Sequence, residues 1–198
     1  MKTMRKSLLI AMMVMATAVV FANGEKPNVK VEKVGTKMVA LQASQLGTSQ
    51  TQVQLKDEKG SILHKVVLNN NEKVNKRFDL TSLPAGNYDL EVENETSFTT
   101  TPIEVTASAA FVLNGDQVTI IKPIVRQNGD LLDIIMPSED SASISVTIFD
   151  SNLKPVYKET VEGDTELRRY DLSKLGKGGY RIKMRAQGRE FIQFVALK

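Results

Sequence analysis

Apolar and polar residues alternate along several short stretches of the chain, which is the pattern of strands with one buried face. One stretch alternates Val53 and Leu55 with glutamines and a lysine, and another alternates Tyr88, Leu90 and Val92 with acids. Beyond the first 22 residues, no apolar pattern of helical period continues for a dozen residues. The sequence therefore predicts an all-β protein of short antiparallel strands. Between the strands, the dipeptides at 114–115 and 128–129, both Asn-Gly, predict two-residue hairpin loops.

The chain contains an internal duplication. Shifting the sequence by 93 residues brings 31–57 onto 124–150 without a gap, and a shift of 92 brings 78–80 onto 170–172. A repeat this long indicates two whole domains of about 80 to 90 residues rather than a solenoid. Small, mostly polar residues separate the copies at 106–110, so the predicted domains are 23–107 and 108–198.

Both copies carry the motif Asp-Leu-x-x-Leu-x-x-Gly-x-Tyr, at Asp79–Tyr88 and Asp171–Tyr180. In an antiparallel sandwich, such a segment crosses between the sheets, with the tyrosine ring packed inward and its hydroxyl bonded to the turn backbone. Tyr88 and Tyr180 are therefore predicted to be structural tyrosine corners. With roughly seven short strands per copy, the sequence predicts two tandem immunoglobulin-like antiparallel β-sandwich domains.

The first 22 residues have the pattern of a cleaved signal peptide. Three cations within residues 1–6 precede an apolar run of 15 residues, and Val20 and Ala22 occupy the positions that signal peptidase reads. The run is too short for a transmembrane helix. Since the leader removes three of 26 cations and no acid, the mature chain is neutral, with 23 acids. Without cysteine there is neither a disulfide nor a lipid acceptor, which favours a bacterial protein of the periplasm or cell exterior.

The sequence offers few groups for catalysis or cofactor binding. His64 is the only histidine, and the repeat aligns it with Tyr157 in a strand, which favours a packing or surface role. Neither a nucleophile elbow nor a nucleotide-binding glycine motif accompanies it. We therefore expect no enzymatic activity and no cofactor.

Metal and nucleic-acid binding are also not expected. The loop acids at 57–58 and 162–164 lack the regular spacing of calcium ligands, which indicates solvated turn acids. Modules that bind sugars or single-stranded nucleic acids need exposed aromatic residues. Only Phe149 and Tyr157 are expected to be exposed, so the sequence predicts no nucleic-acid partner.

One strand carries opposite charges in the two copies. In each copy its apolar residues face inward, so its charged residues are expected to form an outward row. The rows are Asp89, Glu91 and Glu93 in the first copy, and Arg181, Lys183 and Arg185 in the second. Such rows can serve only to keep a sheet soluble. Alternatively they bind an opposite charge, either in head-to-tail self-association or on an anionic surface polymer.

Several segments of the second copy point to a known family. Ser145–Asp150, Pro155–Tyr157 and Tyr170–Tyr180, followed by a final strand to Lys198, resemble the C-terminal sorting domains of the type IX secretion system and related small exported bacterial immunoglobulin-like domains. The resemblance covers roughly residues 124–198, with a fainter echo over 31–105. It implies a β-sandwich that serves as an export signal.

Together these observations favour an exported, non-enzymatic interaction or structural module of the cell envelope or extracellular space. Its partner is expected to be a protein of unknown identity or an anionic surface polymer. The first alternative is a protein whose second domain serves as a type IX sorting signal. The second alternative is a hydrolase with an unrecognised site.

Overall fold

The structure of the chain is a computed structural model that describes residues 27–47, 50–68, 73–135, 143–162 and 167–198. The predicted signal peptide, residues 1–22, lies outside these ranges, as do residues 163 and 164 of the second acidic loop. The described residues divide into two compact units, 27–122 and 123–198. In the described ranges, no helix has the length and apolar character needed to cross a membrane.

The first unit is built from antiparallel strands in two sheets. Their bounds are β1 (Asn28–Lys33), β2 (Met38–Ser44), β3 (Thr51–Asp57), β4 (Ile62–Leu68), β5 (Lys73–Asp79), β6 (Gly86–Glu93), β7 (Ser97–Val105), β8 (Ala110–Val112) and β9 (Val118–Ile121). The smaller sheet has the order β1-β2-β5. The larger has the order β4-β3-β6-β7-β8, and β9 also pairs with β7.

The core of the first unit lies between these sheets, because each strand directs its alternate apolar residues toward the other sheet. Val31 and Leu41 come from the smaller sheet, whereas Val53, Leu90 and Ile103 come from the larger, and all five are buried in one cluster. Fully burying a side chain of this size stabilises the fold by about 1.5 to 3 kcal/mol. Two facing sheets that share such a core form a β-sandwich.

The second unit repeats this arrangement. Its strands are β10 (Ile124–Asn128), β11 (Leu131–Ile135), β12 (Ile144–Phe149), β13 (Pro155–Val161), β14 (Leu167–Asp171), β15 (Gly178–Ala186) and β16 (Arg189–Leu197). They form sheets of order β10-β11-β14 and β13-β12-β15-β16. Leu132 and Ile134 from the first sheet and Val146, Ile148 and Ile182 from the second are fully buried.

The two units share one strand topology. In sequence order, β1 to β7 have the same pairing partners as β10 to β16. The shift of 93 residues maps β4, Ile62–Leu68, onto β13, Pro155–Val161, without any difference in bounds. The all-β class and the tandem sandwiches predicted from the sequence are confirmed.

The division between the units differs from the one expected at residues 107 and 108. The strands β8 and β9, which lie beyond the predicted border, pair with β7 of the first unit. Ala110 of β8 is completely buried in the core of the first unit. The segment at 106–110 is a tight turn rather than a linker, since the Thr106 backbone N–H donates to Ala109 O at 2.8 Å.

Lys122 marks the end of the first unit. Its backbone N–H donates to Thr96 O at 2.7 Å. Its ammonium donates to Glu93 Oε1 at 2.8 Å and to Asn94 O at 2.6 Å. Because these contacts fasten Lys122 to the loop between β6 and β7, the chain leaves the first unit only at Pro123.

The two Asn-Gly dipeptides have different outcomes. Asn128 ends β10, and Gly129, with a φ of +59°, turns the chain into β11 as a hairpin loop. At Asn114 the expectation was wrong, because a 3-10 turn, Asn114–Asp116, connects β8 to β9 and each of these strands pairs with β7 instead. A two-residue turn requires direct pairing of the flanking strands, but β8 and β9 pair with successive stretches along the same edge of β7 and not with each other.

Candidate interaction surfaces

The basic row lies on β15 of the second unit, where the sequence placed it. Tyr180, Ile182 and Met184 are buried, so the residues between them face the outer side of the sheet. The row consists of Arg181, Lys183 and Arg185, and Arg185 is exposed while the other two are half-buried. β15 lies between β12 and β16, so both neighbours contribute side chains to the same outer face.

One acid serves two members of the basic row. Glu190 of β16 is paired with Arg185 across the strands, and its Oε2 lies 2.5 Å from Lys183 Nζ and 3.4 Å from Arg185 Nη2. The pKa of Glu190 is held below its usual value mainly by the hydrogen bond from Lys183. The charges of Lys183 and Arg185 lower it further. Three cations against this single acid leave the row with an excess of positive charge.

Arg181 is held by an aromatic neighbour rather than by an acid. Its guanidinium carbon lies 5.2 Å from the centroid of the Phe194 ring, a cation–π distance. Its Nε is buried and makes no hydrogen bond to any described residue. Phe194 itself is 66% exposed, and its neighbour on the same face, Ile192, is also exposed. The outer face of this sheet therefore combines positive charge with apolar surface.

Phe194 is not one of the aromatics that the sequence predicts to be accessible. Those are Phe149 and Tyr157, and both are half-buried. The exposed aromatics among the described residues are Phe111 and Phe194. The duplication did not reveal Phe194, because matching Phe191 to Phe98 is out of register: Phe98 pairs with Glu93, whereas Phe191 pairs with Met184 and is buried. The sequence of β16 itself has apolar residues at both parities. Alternation alone cannot orient such a strand.

The acidic row on β6 differs from the open row that was expected. Glu91 is only 4% exposed, and Lys56 Nζ of β3 lies 2.7 Å from its Oε1. Glu93 is half-buried, with Lys122 Nζ at 2.8 Å. Asp89 is also half-buried and faces Lys56 in the strand register. The row is thus largely neutralised by lysines of its own sheet, unlike the basic row of the second unit.

Both predicted corner tyrosines are buried at their rings and bonded at their hydroxyls. The Tyr88 hydroxyl donates to Pro84 O at 2.9 Å, and the Tyr180 hydroxyl donates to Gly176 O at 2.7 Å. Each acceptor lies four residues earlier in the chain, in the turn that crosses between the sheets. This is the geometry of a tyrosine corner.

A carboxylate at one edge of the second sandwich collects three donors. Glu159 of β13 accepts from the hydroxyls of Tyr157 and Tyr170, the latter at 3.0 Å, and from Arg168 Nε at 2.9 Å. Arg168 and Tyr170 lie on β14 of the opposite sheet, so the cluster joins the two sheets at their edge. Burial raises the pKa of Glu159, but the bonds from Tyr157, Arg168 and Tyr170 together lower it below its usual value.

The same cluster affects its two phenols. Burial first, and then the hydrogen bond and charge of Glu159, raise the pKa of Tyr157 to about 12. Burial likewise raises the pKa of Tyr170, assisted by the charge of Glu159. Both phenols therefore stay neutral donors at ordinary pH, which suits a structural cluster and not a proton-transfer site.

The candidate catalytic and metal residues have structural contacts. The His64 ring meets the Phe78 ring edge-on, with centroids 5.9 Å apart. Asp57 Oδ1 accepts the backbone N–H groups of Lys59 and Ser61 at 2.9 and 2.8 Å, which is how a turn aspartate stabilises its own loop. Within the described part of the chain, no group of three or more His, Cys, Asp or Glu residues could hold a metal ion.

Comparison with known families gives one match. Residues 129–198 match the model of the family described as "Secretion system C-terminal sorting domain". The match lies entirely within the second unit, 123–198. The resemblance of this copy to type IX sorting domains is thereby confirmed, and such a domain implies an exported protein. Among curated proteins, no relative matches the chain.

Forty-six chains of solved structures also match. A biofilm associated protein, in its BSP domain, has 13% identity and a TM-score of 0.31 over 87% of this chain. A two-domain fibronectin type-III segment of chicken tenascin has 8% identity and a TM-score of 0.32, and the match covers 85% of this chain and 97% of that one. The FN1–FN3 domains of chicken CNTN1 have 10% identity and a TM-score of 0.32, with coverages of 86% and 65%. The chain spans only 29% of the biofilm associated protein.

Proposed function

We propose that this chain is an exported, non-enzymatic protein whose second unit acts as a type IX sorting domain and whose first unit is the module that it exports. The observation that carries the proposal is the family match over residues 129–198, which covers the second sandwich except for its first strand, β10. A sandwich that folds by itself can be recognised as a separate signal.

Export in matched strains tests this function. The full chain and a variant lacking residues 123–198 are expressed in a bacterium with a type IX system and in an isogenic strain without it. We expect the full chain at the cell surface or in the medium only in the first strain, and the shortened chain in neither location. Equal surface delivery of the full chain in both strains would contradict a sorting role.

The intact mass of the recovered protein then shows what happens to the signal. A sorting domain that is removed during export leaves a product without residues 123–198. A product that begins at Asn23 and still ends at Lys198 retains its second unit. The same measurement tests the predicted cleavage after Ala22, which lies outside the described residues.

A second function is supported by the outer face of β15 and β16. We propose that the basic row, together with exposed Phe194, binds an anionic surface polymer. The row carries three cations, and its one acidic contact, Glu190, is shared by Lys183 and Arg185. Bound sulfate, phosphate or carboxylate groups would accept charge-assisted hydrogen bonds from the accessible donors of this row.

Reversal of the row tests polymer binding. The triple variant Arg181→Glu, Lys183→Glu, Arg185→Glu is compared with Lys73→Glu, Lys76→Glu, Arg77→Glu, which makes the same charge change at exposed positions of β5. On immobilised dextran sulfate at low salt, we expect wild type and the β5 variant to bind and the β15 variant to pass through. Wild-type binding should end near about 0.5 M salt, where the Debye length is about 4 Å. Equal loss in both variants would indicate a response to net charge alone.

A further inference from the structure

The edge of the larger sheet in the first unit is unusually apolar. β4 forms this edge and, among the described residues, pairs only with β3. Ile62 is 51% exposed, Leu63 is 45% exposed and Val67 is 43% exposed. Lys65 is the only charged residue of the strand, which contains neither proline nor glycine. A long apolar edge of this kind offers its free backbone groups to another strand.

The equivalent edge of the second unit is protected. β13 begins with Pro155, which lacks a backbone donor, and carries Lys158 and Glu159. Glu159 is also engaged by donors of the opposite sheet. Other long edges carry several charges, as in β5 and β1. At the far edge of the second unit, the side chain of Gln127 bonds the backbone carbonyl of Ala196 on β16 at 2.8 Å. β4 is the longest described edge strand with no proline and a single charge.

We propose that β4 is a self-association edge, at which two copies of the chain pair antiparallel through His64–Leu68. In an antiparallel pair, opposing residues lie on the same face of the sheet, so a two-fold axis must pass through one residue and its counterpart. An axis through Val66 places Lys65 of each copy opposite Val67 of the other, and His64 opposite Leu68. No like charges then face each other directly, whereas an axis through Lys65 would oppose two ammonium groups.

The composition of the strand favours a second copy over a charged partner. Exposed Val67 supplies aliphatic surface, and the stem of Lys65 can cover Val67 of the other copy while its ammonium stays in water. A contact of five residues per chain is small compared with stable dimer interfaces. The association is therefore weak, depends on concentration and persists in salt. Contact between the basic and acidic rows would instead be lost in salt.

Sedimentation velocity of the mature chain tests this pairing. Samples span about 10 μM to 1 mM at low salt and at about 0.5 M salt. We expect reversible dimers at both salt concentrations. The variant Val67→Lys brings like charges together with Lys65 and should weaken dimerisation by about tenfold or more. The control is Thr160→Lys, the same new residue at the repeat-equivalent position of β13, which should leave dimerisation unchanged.

A compensating variant tests the axis. The double variant Lys65→Glu, Val67→Lys places opposite charges face to face when the axis passes through Val66, and dimerisation should return. The outcomes that overturn the proposal are wild type that stays monomeric throughout the range, dimers that dissociate in salt, and equal weakening by Val67→Lys and Thr160→Lys. Failure of the double variant to restore pairing overturns the proposed axis. None of these outcomes depends on export.

Discussion

Certain single residues make the same hydrogen bonds in both sandwiches. Asp57 Oδ1 accepts backbone N–H groups from the residues two and four positions later, at 2.9 and 2.8 Å, and Asp150 Oδ1 does the same at 2.9 Å for both. Asp79 and Asp171 each accept the N–H two positions later at 2.9 Å. These aspartates are repeated because each turn needs an acceptor for its unpaired N–H groups.

The corner tyrosines give a prediction at this scale. Tyr88→Phe and Tyr180→Phe each remove a hydroxyl that bonds a turn carbonyl while leaving the buried ring in place. We expect each change to lower the free energy of unfolding of its own unit by about 1 to 2 kcal/mol. Urea titrations of the two variants and the wild type measure the difference. Unchanged midpoints would mean that water replaces the lost bond without cost.

The turn aspartates predict a dependence of stability on pH. A backbone hydrogen bond from Ser61 holds the pKa of Asp57 below its usual value, and bonds from Thr81 and Ser173 do the same for Asp79 and Asp171. A lower pKa in the folded chain means that folding releases protons. The three carboxylates therefore stabilise the fold above about pH 4, and this contribution is lost as pH falls through the folded pKa values.

Urea midpoints measured from about pH 6 down to about pH 3 test this dependence. We expect wild-type stability to decline below about pH 4 and the combined variant Asp57→Ala, Asp79→Ala, Asp171→Ala to be less stable with a shallower decline. Asp116→Ala, which removes a charge from an exposed turn, is the control. Parallel curves for wild type and the combined variant would contradict the assignment.

At the scale of elements, both sandwiches close the same edge with an aromatic pair. In the second unit, the Tyr157 and Tyr170 rings meet edge-on with centroids 5.5 Å apart. In the first unit, His64 and Phe78 occupy the aligned positions and meet at 5.9 Å in the same way. The second unit adds Glu159 and its three donors, where the first has Val66. This difference leaves β13 polar and β4 apolar.

Removing the carboxylate tests the contribution of this cluster. Glu159→Gln keeps the size of the side chain but removes the charge that accepts from two phenols and Arg168. We expect the free energy of unfolding of the second unit to fall by about 1.5 to 3 kcal/mol, the range for hydrogen bonds to charged groups. Tyrosine fluorescence follows the transition, since the chain has no tryptophan. Lys158→Gln, at the neighbouring position of β13, is the control and should change stability little.

The predictable part of these elements follows from alternation. The basic row of β15 could be oriented from sequence because Tyr180, Ile182 and Met184 leave one choice of inner face. The neutralisation of Glu91 could not be predicted from the sequence, because its partner Lys56 lies on β3 and the contact depends on strand register. Phe194 was missed for a related reason, because apolar residues at both parities of β16 give no preferred face.

At the scale of the whole molecule, duplication set the expected domains but not their border. Shifts of 93 and then 92 residues relate seven strands of each unit, whereas β8 and β9 have no counterparts among the described strands of the second. A repeat cannot assign an insertion to either copy, and the tight turn at Thr106 resembles a linker in composition. Pairing with β7 assigns β8 and β9 to the first unit, because both strands extend its larger sheet.

Separate expression of the units tests this border. We expect residues 23–122 and residues 123–198 each to fold cooperatively, because each contains a closed sandwich core. Residues 23–107 should be less stable than residues 23–122 by about 3 kcal/mol or more. That shorter piece loses buried Ala110, several ladder hydrogen bonds to β7 and the contacts of Lys122, and each net hydrogen bond contributes about 0.5 to 1.5 kcal/mol. Urea titration followed by circular dichroism compares the pieces.

Residues 108–198 serve as the control, since the added segment pairs with nothing in the second unit's sheets and should leave its midpoint unchanged. Equal stability of the two versions of the first unit would return the border to residue 107, and failure of both 23–122 and 123–198 to fold would show that neither sandwich is independent.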